Sequence, residues 1–133
     1  FFFVNTRPLA PSMAMAVFDP KKTTLNEDAI GEFLRGVVTG DLTEVPGVGP
    51  ANADKFADAG ITNTHQLLGK FLMLKQDPPA GEDIHPIAFH MNSMAEWLQS
   101  IGISSHRGNI ALAIAEKSDI MLPGIYDGSI YAE

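Results

Sequence analysis

The segment Val45-Pro46-Gly47-Val48-Gly49-Pro50-Ala51-Asn52-Ala53-Asp54-Lys55-Phe56-Ala57-Asp58-Ala59-Gly60-Ile61 constrains this chain more than any other. Two glycines flank one apolar residue, and a short alanine-rich helix follows directly. Such a turn lets the backbone reach positive φ and leaves uncovered N–H groups at the start of the next helix, where an anion such as phosphate is favoured. Pro50 suits the first helical position, where its missing N–H costs nothing. Gly60 suits the end, with Ile61 placed for the apolar contact that accompanies such a cap. Ala53, Phe56 and Ala57 are expected to face inward. The pattern is a helix-hairpin-helix signature, which serves either to hold a nucleic-acid backbone or only to pack two helices.

Around it, periodicity predicts four more helices and no strand. Thr24-Leu25-Asn26-Glu27 has the spacing of a capping box, and Ile30, Phe33, Leu34, Val37 and Val38 recur at helical spacing after it. Residues 41–45 read as a short helical turn before the hairpin. Thr62 or Thr64 is placed to cap the helix of residues 65–75, whose Leu67, Leu68, Phe71, Leu72 and Leu74 cover more than half its circumference. That helix is expected to be either the central core helix or part of an oligomer interface. Residues 76–83, with Pro78, Pro79 and Gly81, read as a loop insertion. Pro86 opens a long helix through Met91, Met94, Trp97 and Ile101, closed by Gly102, with Trp97 expected in the core. Ser104 or Ser105 then caps a last helix with a narrow stripe of Ile110, Ala111, Ile114 and Ala115.

The expected organisation is one all-α, five-helix domain over residues 23–118. Residues 1–22 form an N-terminal arm or the remnant of a processed presequence. Residues 119–133 form an extended C-terminal arm whose Tyr126 and Tyr131 either anchor a partner or lie on their own domain. A chain of 133 residues fits one hydrophobic core, and no apolar run approaches the roughly 20 residues that would span a bilayer. With no Cys there is no thiolate nucleophile and no Cys-based zinc site. The four His give no metal-ligand spacing: His85 and His90 point about 140° apart on a helix. His90 with Glu96, and His85 with Asp83, read as surface pairs. No nucleophile with a base and no carboxylate pair in a cleft is visible, so the chain is read as no enzyme, with no cofactor.

Charge bears on the hairpin's ligand. The chain carries a net charge of −7, but unevenly: residues 1–22 sum to +2, 23–44 to −4, 45–75 to +1 and 76–133 to −6. The hairpin region is therefore non-acidic without being strongly basic. Each neutralised phosphate calls for a nearby cation, and Lys55, Lys70 and Lys75 are those the segment offers. The candidate DNA-binding set is Gly47, Val48, Gly49, Asn52, Lys55, Lys70 and Lys75. For the turn residues the other reading is a tight turn that buries Val48. For Lys55 it is a surface pair with Asp54 or Asp58, and for Lys70 and Lys75 plain solvent exposure. Arg107 sits either near a phosphate or as an ordinary first-turn residue.

From the hairpin onward the chain resembles the barrier-to-autointegration factor family. The residues that carry the resemblance are Val45-Pro46-Gly47-Val48-Gly49, the spacing to Asp58-Ala59-Gly60-Ile61, and the run Leu67-Leu68-Gly69-Lys70-Phe71-Leu72-Met73-Leu74-Lys75. Glu96-Trp97-Leu98 and Gly102-Ile103-Ser104-Ser105-His106-Arg107 add to it, for a coverage of residues 30–117. The resemblance implies an all-helical homodimer that contacts duplex DNA through hairpin amides and nearby Lys, without base readout or catalysis. One hairpin per subunit, facing opposite ways, would bridge two duplexes. This chain departs from the pattern by its N-terminal extension, the insertion at residues 77–81, the arm beyond Ser118, the lack of Cys and a more acidic last helix. The alternative is a scaffolding subunit that uses the acidic surface and both arms for protein contacts. An unchanged role would place the protein in the nucleus, and a presequence remnant in an organelle.

Overall fold

The computed structural model describes residues 16–132, and within them the chain is helical without a strand. The five helices are α1 (Glu27–Arg35), α2 (Pro50–Asp58), α3 (Thr64–Met73), α4 (Pro86–Ser100) and α5 (Arg107–Met121). Single 3-10 turns occupy Pro20–Lys22, Leu42–Glu44 and Gly128–Tyr131. The expected all-α, five-helix class is thus observed. The Phe-rich start and the presequence reading lie outside the described residues.

The centre of the bundle is α5, which packs against α1, α3 and α4. The sequence offers that place to α3, with an oligomer interface as the alternative. It predicts only a narrow stripe on α5, yet Asn109, Ile110, Ala111, Ala113, Ile114, Ala115, Lys117 and Ser118 are all buried. A helix buried on most of its circumference has no polar face to make its periodicity stand out. Its alanines let three neighbours approach closely. Helix α3 buries Leu67, Leu68 and Phe71 and leaves Met73 78% exposed. Trp97 is half-buried rather than fully in the core: its ring lies 5.9 Å from Phe56, with the Lys70 ammonium 5.3 Å above its centre.

Several caps differ from expectation. Asn26, not Thr24, caps α1: its Oδ1 accepts from Asp28 N at 2.7 Å and Ala29 N at 3.3 Å. Thr24 instead exchanges hydrogen bonds with Asn109 of α5 at 3.0 and 3.1 Å, fastening the N-terminal segment to the core. The helix also ends at Arg35, so Val37 falls outside the apolar stripe and is 88% exposed. Asn63 caps α3 by accepting from Gln66 N, while the Gln66 amide oxygen accepts from Thr62 N. Helix α5 starts after His106, with neither Ser104 nor Ser105 as its cap. The predicted stops hold: Ile61 N donates to Phe56 O and Ile103 N to Leu98 O around Gly60 and Gly102, both at positive φ. Ala57, expected inside, is exposed.

Both ends of the described segment return to the domain. Phe18 is buried, donates its N–H to Asn92 Oδ1 and meets Tyr131 edge-on at 5.8 Å. The segment read as an extended C-terminal arm begins as the last turn of α5, then buries Tyr126 and forms the closing 3-10 turn. The two tyrosines lie on their own domain, the second of the two readings given to them.

His90, read as a surface residue, is fully buried. It stacks on Phe71 at 4.1 Å and its Nε2 lies 2.7 Å from Phe71 O, so Nε2 carries the proton and Nδ1 is left buried without a partner. Burial pushes its pKa below the ordinary imidazole value, the Phe71 carbonyl opposing and Lys75 adding to the effect. An imidazole whose folded pKa is lowered binds its proton more readily when unfolded. Its stabilising contribution is therefore complete above the unfolded value of about 6.5 and declines as the pH falls below it. Thermal melts from pH 7.5 to pH 5 should show stability falling by at most about 1.4 kcal/mol per pH unit from this group. His90→Gln should flatten that slope; an unchanged slope would remove His90 as its source.

Candidate nucleic-acid interface

The hairpin owes its shape to Pro46 and Gly47. Val48 N donates to Val45 O at 2.9 Å across a turn with Pro in its second position and Gly, at φ +96°, in its third, the pattern of a type II turn. Val45 and Val48 are buried on either side, and Val48 directed inward turns the flanking backbone out. Of the two glycines only Gly47 uses the positive-φ freedom that the turn offers. Gly49 is extended, at φ −96° and ψ −175°, and stands immediately before α2.

The two glycines also differ in surroundings. A Cβ on Gly47 would meet Ile110 Cγ1 at 3.0 Å, His106 Cβ at 3.2 Å and Asn109 Cβ at 3.4 Å, so Gly47 is where the hairpin presses on the start of α5. A Cβ on Gly49 would meet nothing within 4 Å. Its bare backbone faces open space. The first intrahelical bond of α2 is Ala53 N to Gly49 O, and among the described residues the amides of Gly49, Ala51 and Asn52 have no acceptor. These are the orphan donors of a helix N-terminus, where the helix dipole adds partial positive charge.

The loop leading into the hairpin is held by Glu44. Its carboxylate accepts from the N–H groups of Thr39 and Gly40 at 3.0 Å and from the Thr64 hydroxyl at 2.7 Å, clasping the loop to α3. Burial raises the pKa of Glu44, and the hydrogen bonds from Thr64, Thr39 and Gly40 outweigh it, holding the carboxyl below its ordinary range. Sequence reasoning missed this residue. Its partners come from residues 39–40 and from Thr64, 20 residues beyond Glu44, and no short motif signals that.

The structure gathers Gly47, Val48, Gly49 and Asn52 into one wall of an open groove of about 560 Å³. Asn52 is buried there, and its amide nitrogen donates to Gly47 O at 3.3 Å and Ser105 O at 3.2 Å, tying the hairpin to the loop before α5. The lysines are not brought to the same place, since none of Lys55, Lys70 and Lys75 lines the groove. Lys55 is paired with neither Asp54 nor Asp58; its Nζ donates to Gly102 O at 2.9 Å, beyond the end of α4. Lys70 lies over Trp97. Arg107 donates to Ile103 O at 3.3 Å and lines a second cavity with Lys22. Across the groove stand Ser105, His106 and Asn109, which sequence reasoning did not connect to the hairpin because a tertiary contact 53 or more residues away brings them there.

Among the described residues no group of three or more His, Asp or Glu is placed to hold a metal ion, and no helix is long and apolar enough to cross a membrane. Residues 31–94 match the family model described as barrier to autointegration factor. The match runs from within α1 into α4 and so includes the whole hairpin. No curated protein and no solved structure matches the chain.

Proposed function

We propose that this chain, a barrier-to-autointegration-factor-like protein across residues 31–94, is a non-enzymatic module that holds duplex DNA by its phosphodiester backbone through the hairpin. Gly49 carries the reading. The fold leaves room for a side chain at this position and the backbone there is unstrained, so the glycine's consequence is to leave the amides before and within the first turn of α2 bare to a ligand. A phosphate oxygen is the anion such amides suit, and contacts to phosphate carry no base information. With no Lys in the groove, few counterions are displaced, so binding is weak and its salt slope shallow. Two copies joined as a homodimer would present two hairpins and hold two duplexes.

A second reading, a scaffolding subunit, is favoured by the net charge of −7 and by the engagement of Lys55 and Lys117 with backbone carbonyls rather than with the surroundings. Fluorescence anisotropy of a labelled 20-base-pair duplex at low and moderate salt separates the two, with Gly49→Glu as the comparison. The variant places a carboxylate where a phosphate would sit while leaving the core untouched. Expected are salt-sensitive binding by the parent protein, at least a tenfold loss in the variant, and melting temperatures within a few degrees of each other. Absence of binding by the parent at low salt would leave the scaffolding reading in possession. Sedimentation of the same protein tests the dimer.

A further inference from the structure

We propose that an open pocket of about 520 Å³ beside the C-terminal half of α5 receives an arginine side chain from a partner peptide that carries the arginine between apolar residues. The pocket shares no lining residue with the hairpin groove, so it is a second surface, available whether or not the hairpin holds DNA. Three carboxylates line it, those of Glu116 and Asp119 from α5 and Asp127 from the segment that follows, and no Lys or Arg does. None of the three forms an ion pair among the described residues. Asp119 Oδ1 accepts from Gly124 N at 2.8 Å and Asp127 Oδ1 from Ser129 N at 2.9 Å, which leaves the second oxygen of each. Glu116 is half-buried without a hydrogen bond among the described residues, and burial together with the Asp119 charge pushes its pKa up. His85 is the basic group that acts on Asp127, and its Nδ1 is already engaged by Ile87 N. Carboxylates crowded and partly dehydrated in this way gain more from an incoming cation than from water.

Tyr126 supplies an independent sign of a ligand. It is only 7% exposed, yet its hydroxyl has no hydrogen-bond partner among the described residues, where a buried hydroxyl is ordinarily paired. A Cβ on Gly128 would lie 3.4 Å from that oxygen, which sets the hydroxyl against the stretch of pocket wall that Gly128 forms. Burial raises the Tyr126 pKa, and Tyr131, Glu116 and Asp127 add to the effect, so the phenol lies among the carboxylates and keeps its proton. The rest of the wall is apolar. Leu34 and Leu112 are half-buried, and Ile120, 57% exposed, continues into the exposed Met121 and Leu122. A ring of carboxylates with a phenol oxygen beside an apolar shelf fits a side chain with an apolar stem and a charged head. Arginine has both, and its planar fork of donors can bridge two carboxylates and still reach the phenol oxygen, which a compact ammonium does less well. Met121 and Leu122 then offer apolar surface to the residues that flank the arginine.

The test is a titration of the nitrogen-15-labelled full chain, followed by its amide NMR shifts, with the peptide acetyl-Gly-Leu-Arg-Leu-Gly-amide. Two control peptides carry Gln in place of Arg, or Ser in place of both Leu. The Arg peptide is expected to give saturating shifts at Glu116, Ile120 and Gly128 with a Kd on the order of 100–500 µM, as suits one charge-assisted anchor on a small surface. The Gln peptide should bind at least about tenfold more weakly, and the Ser peptide about three- to fivefold more weakly. Glu116→Gln keeps the side chain's size and should weaken the Arg peptide at least about fivefold. Tyr126→Phe removes one oxygen and should weaken it about threefold with the melting temperature unchanged, whereas a purely structural Tyr126 would leave the affinity as it was. Should Glu116→Gln melt lower, Asp127→Asn repeats the test from the exposed segment, since Asn can still accept from Ser129 N. Absence of saturating shifts up to about 2 mM peptide, equal affinity for the Arg and Gln peptides, or full affinity retained in the variants overturns the proposal. Each of these outcomes leaves the hairpin reading where the duplex titration puts it.

Discussion

Lys117→Ala should destabilise the domain by about 3–5 kcal/mol, lowering the melting temperature by on the order of 10–15 °C. The ammonium is buried within α5 and donates to three carbonyls at the end of α1: Phe33 O at 3.0 Å, Leu34 O at 3.0 Å and Gly36 O at 2.7 Å. It also lies 5.4 Å over the Phe33 ring. The last carbonyls of a helix have no intrahelical donor and carry the negative end of its dipole. One side chain meets both needs from more than 80 residues away in sequence. Removing it leaves carbonyls unpaired and opens a cavity beside Phe33. Lys117→Met separates the two contributions, because it refills the space without donating. Chemical unfolding of all three proteins should give the order parent, Met, Ala, and a Met variant as stable as the parent would show that the carbonyl contacts contribute little.

Lys117 also marks the limit of what the sequence conveys. In a helix reading it is one charge among acidic neighbours, indistinguishable from a solvated Lys. Its burial follows from α1 ending over that point of α5, a fact of tertiary placement. Local signals were legible wherever the physics is local: Pro50 and Pro86 open helices, Gly60 and Gly102 close them, and Pro46-Gly47 makes a turn. Caps were read less well, since Thr24 and Asn26 are both competent. The choice between them falls to Asn109, 85 residues on, which engages Thr24. Helix α5 was underestimated because periodicity measures contrast between faces, and a hub helix has little. For the groove, the hairpin wall was visible as a motif. The wall of Ser105, His106 and Asn109 was not, because its nearness to Gly47 depends on how α5 packs. The lysines were assigned to the site by proximity in sequence, which does not tell where a long side chain finds its acceptor.

Gly47→Ala should cost about 2–4 kcal/mol, whereas Gly49→Ala should cost less than about 1 kcal/mol. Both substitutions add one methyl to the same turn. At Gly47 the methyl meets Ile110 at 3.0 Å and His106 at 3.2 Å, and the backbone is at φ +96°. Ile110 is fully buried within α5, so it has no free volume to move into, and the conformational strain adds to the clash. At Gly49 the backbone is extended and the methyl enters open space, leaving only the modest preference of a helix cap for Gly over Ala. Thermal melts of the two variants therefore read out which glycine the fold requires. Anisotropy of the same proteins reads out which one a ligand requires. Gly47→Ala should lose DNA only in proportion to its lost structure, so that cooling or a stabilising osmolyte restores binding. Gly49→Glu should lose DNA at every temperature with its melting curve intact. If Gly47→Ala melted with the parent protein, the close packing of the hairpin on α5 would not hold in solution. The groove built on that contact, and His106 beside it, would then have to be redrawn.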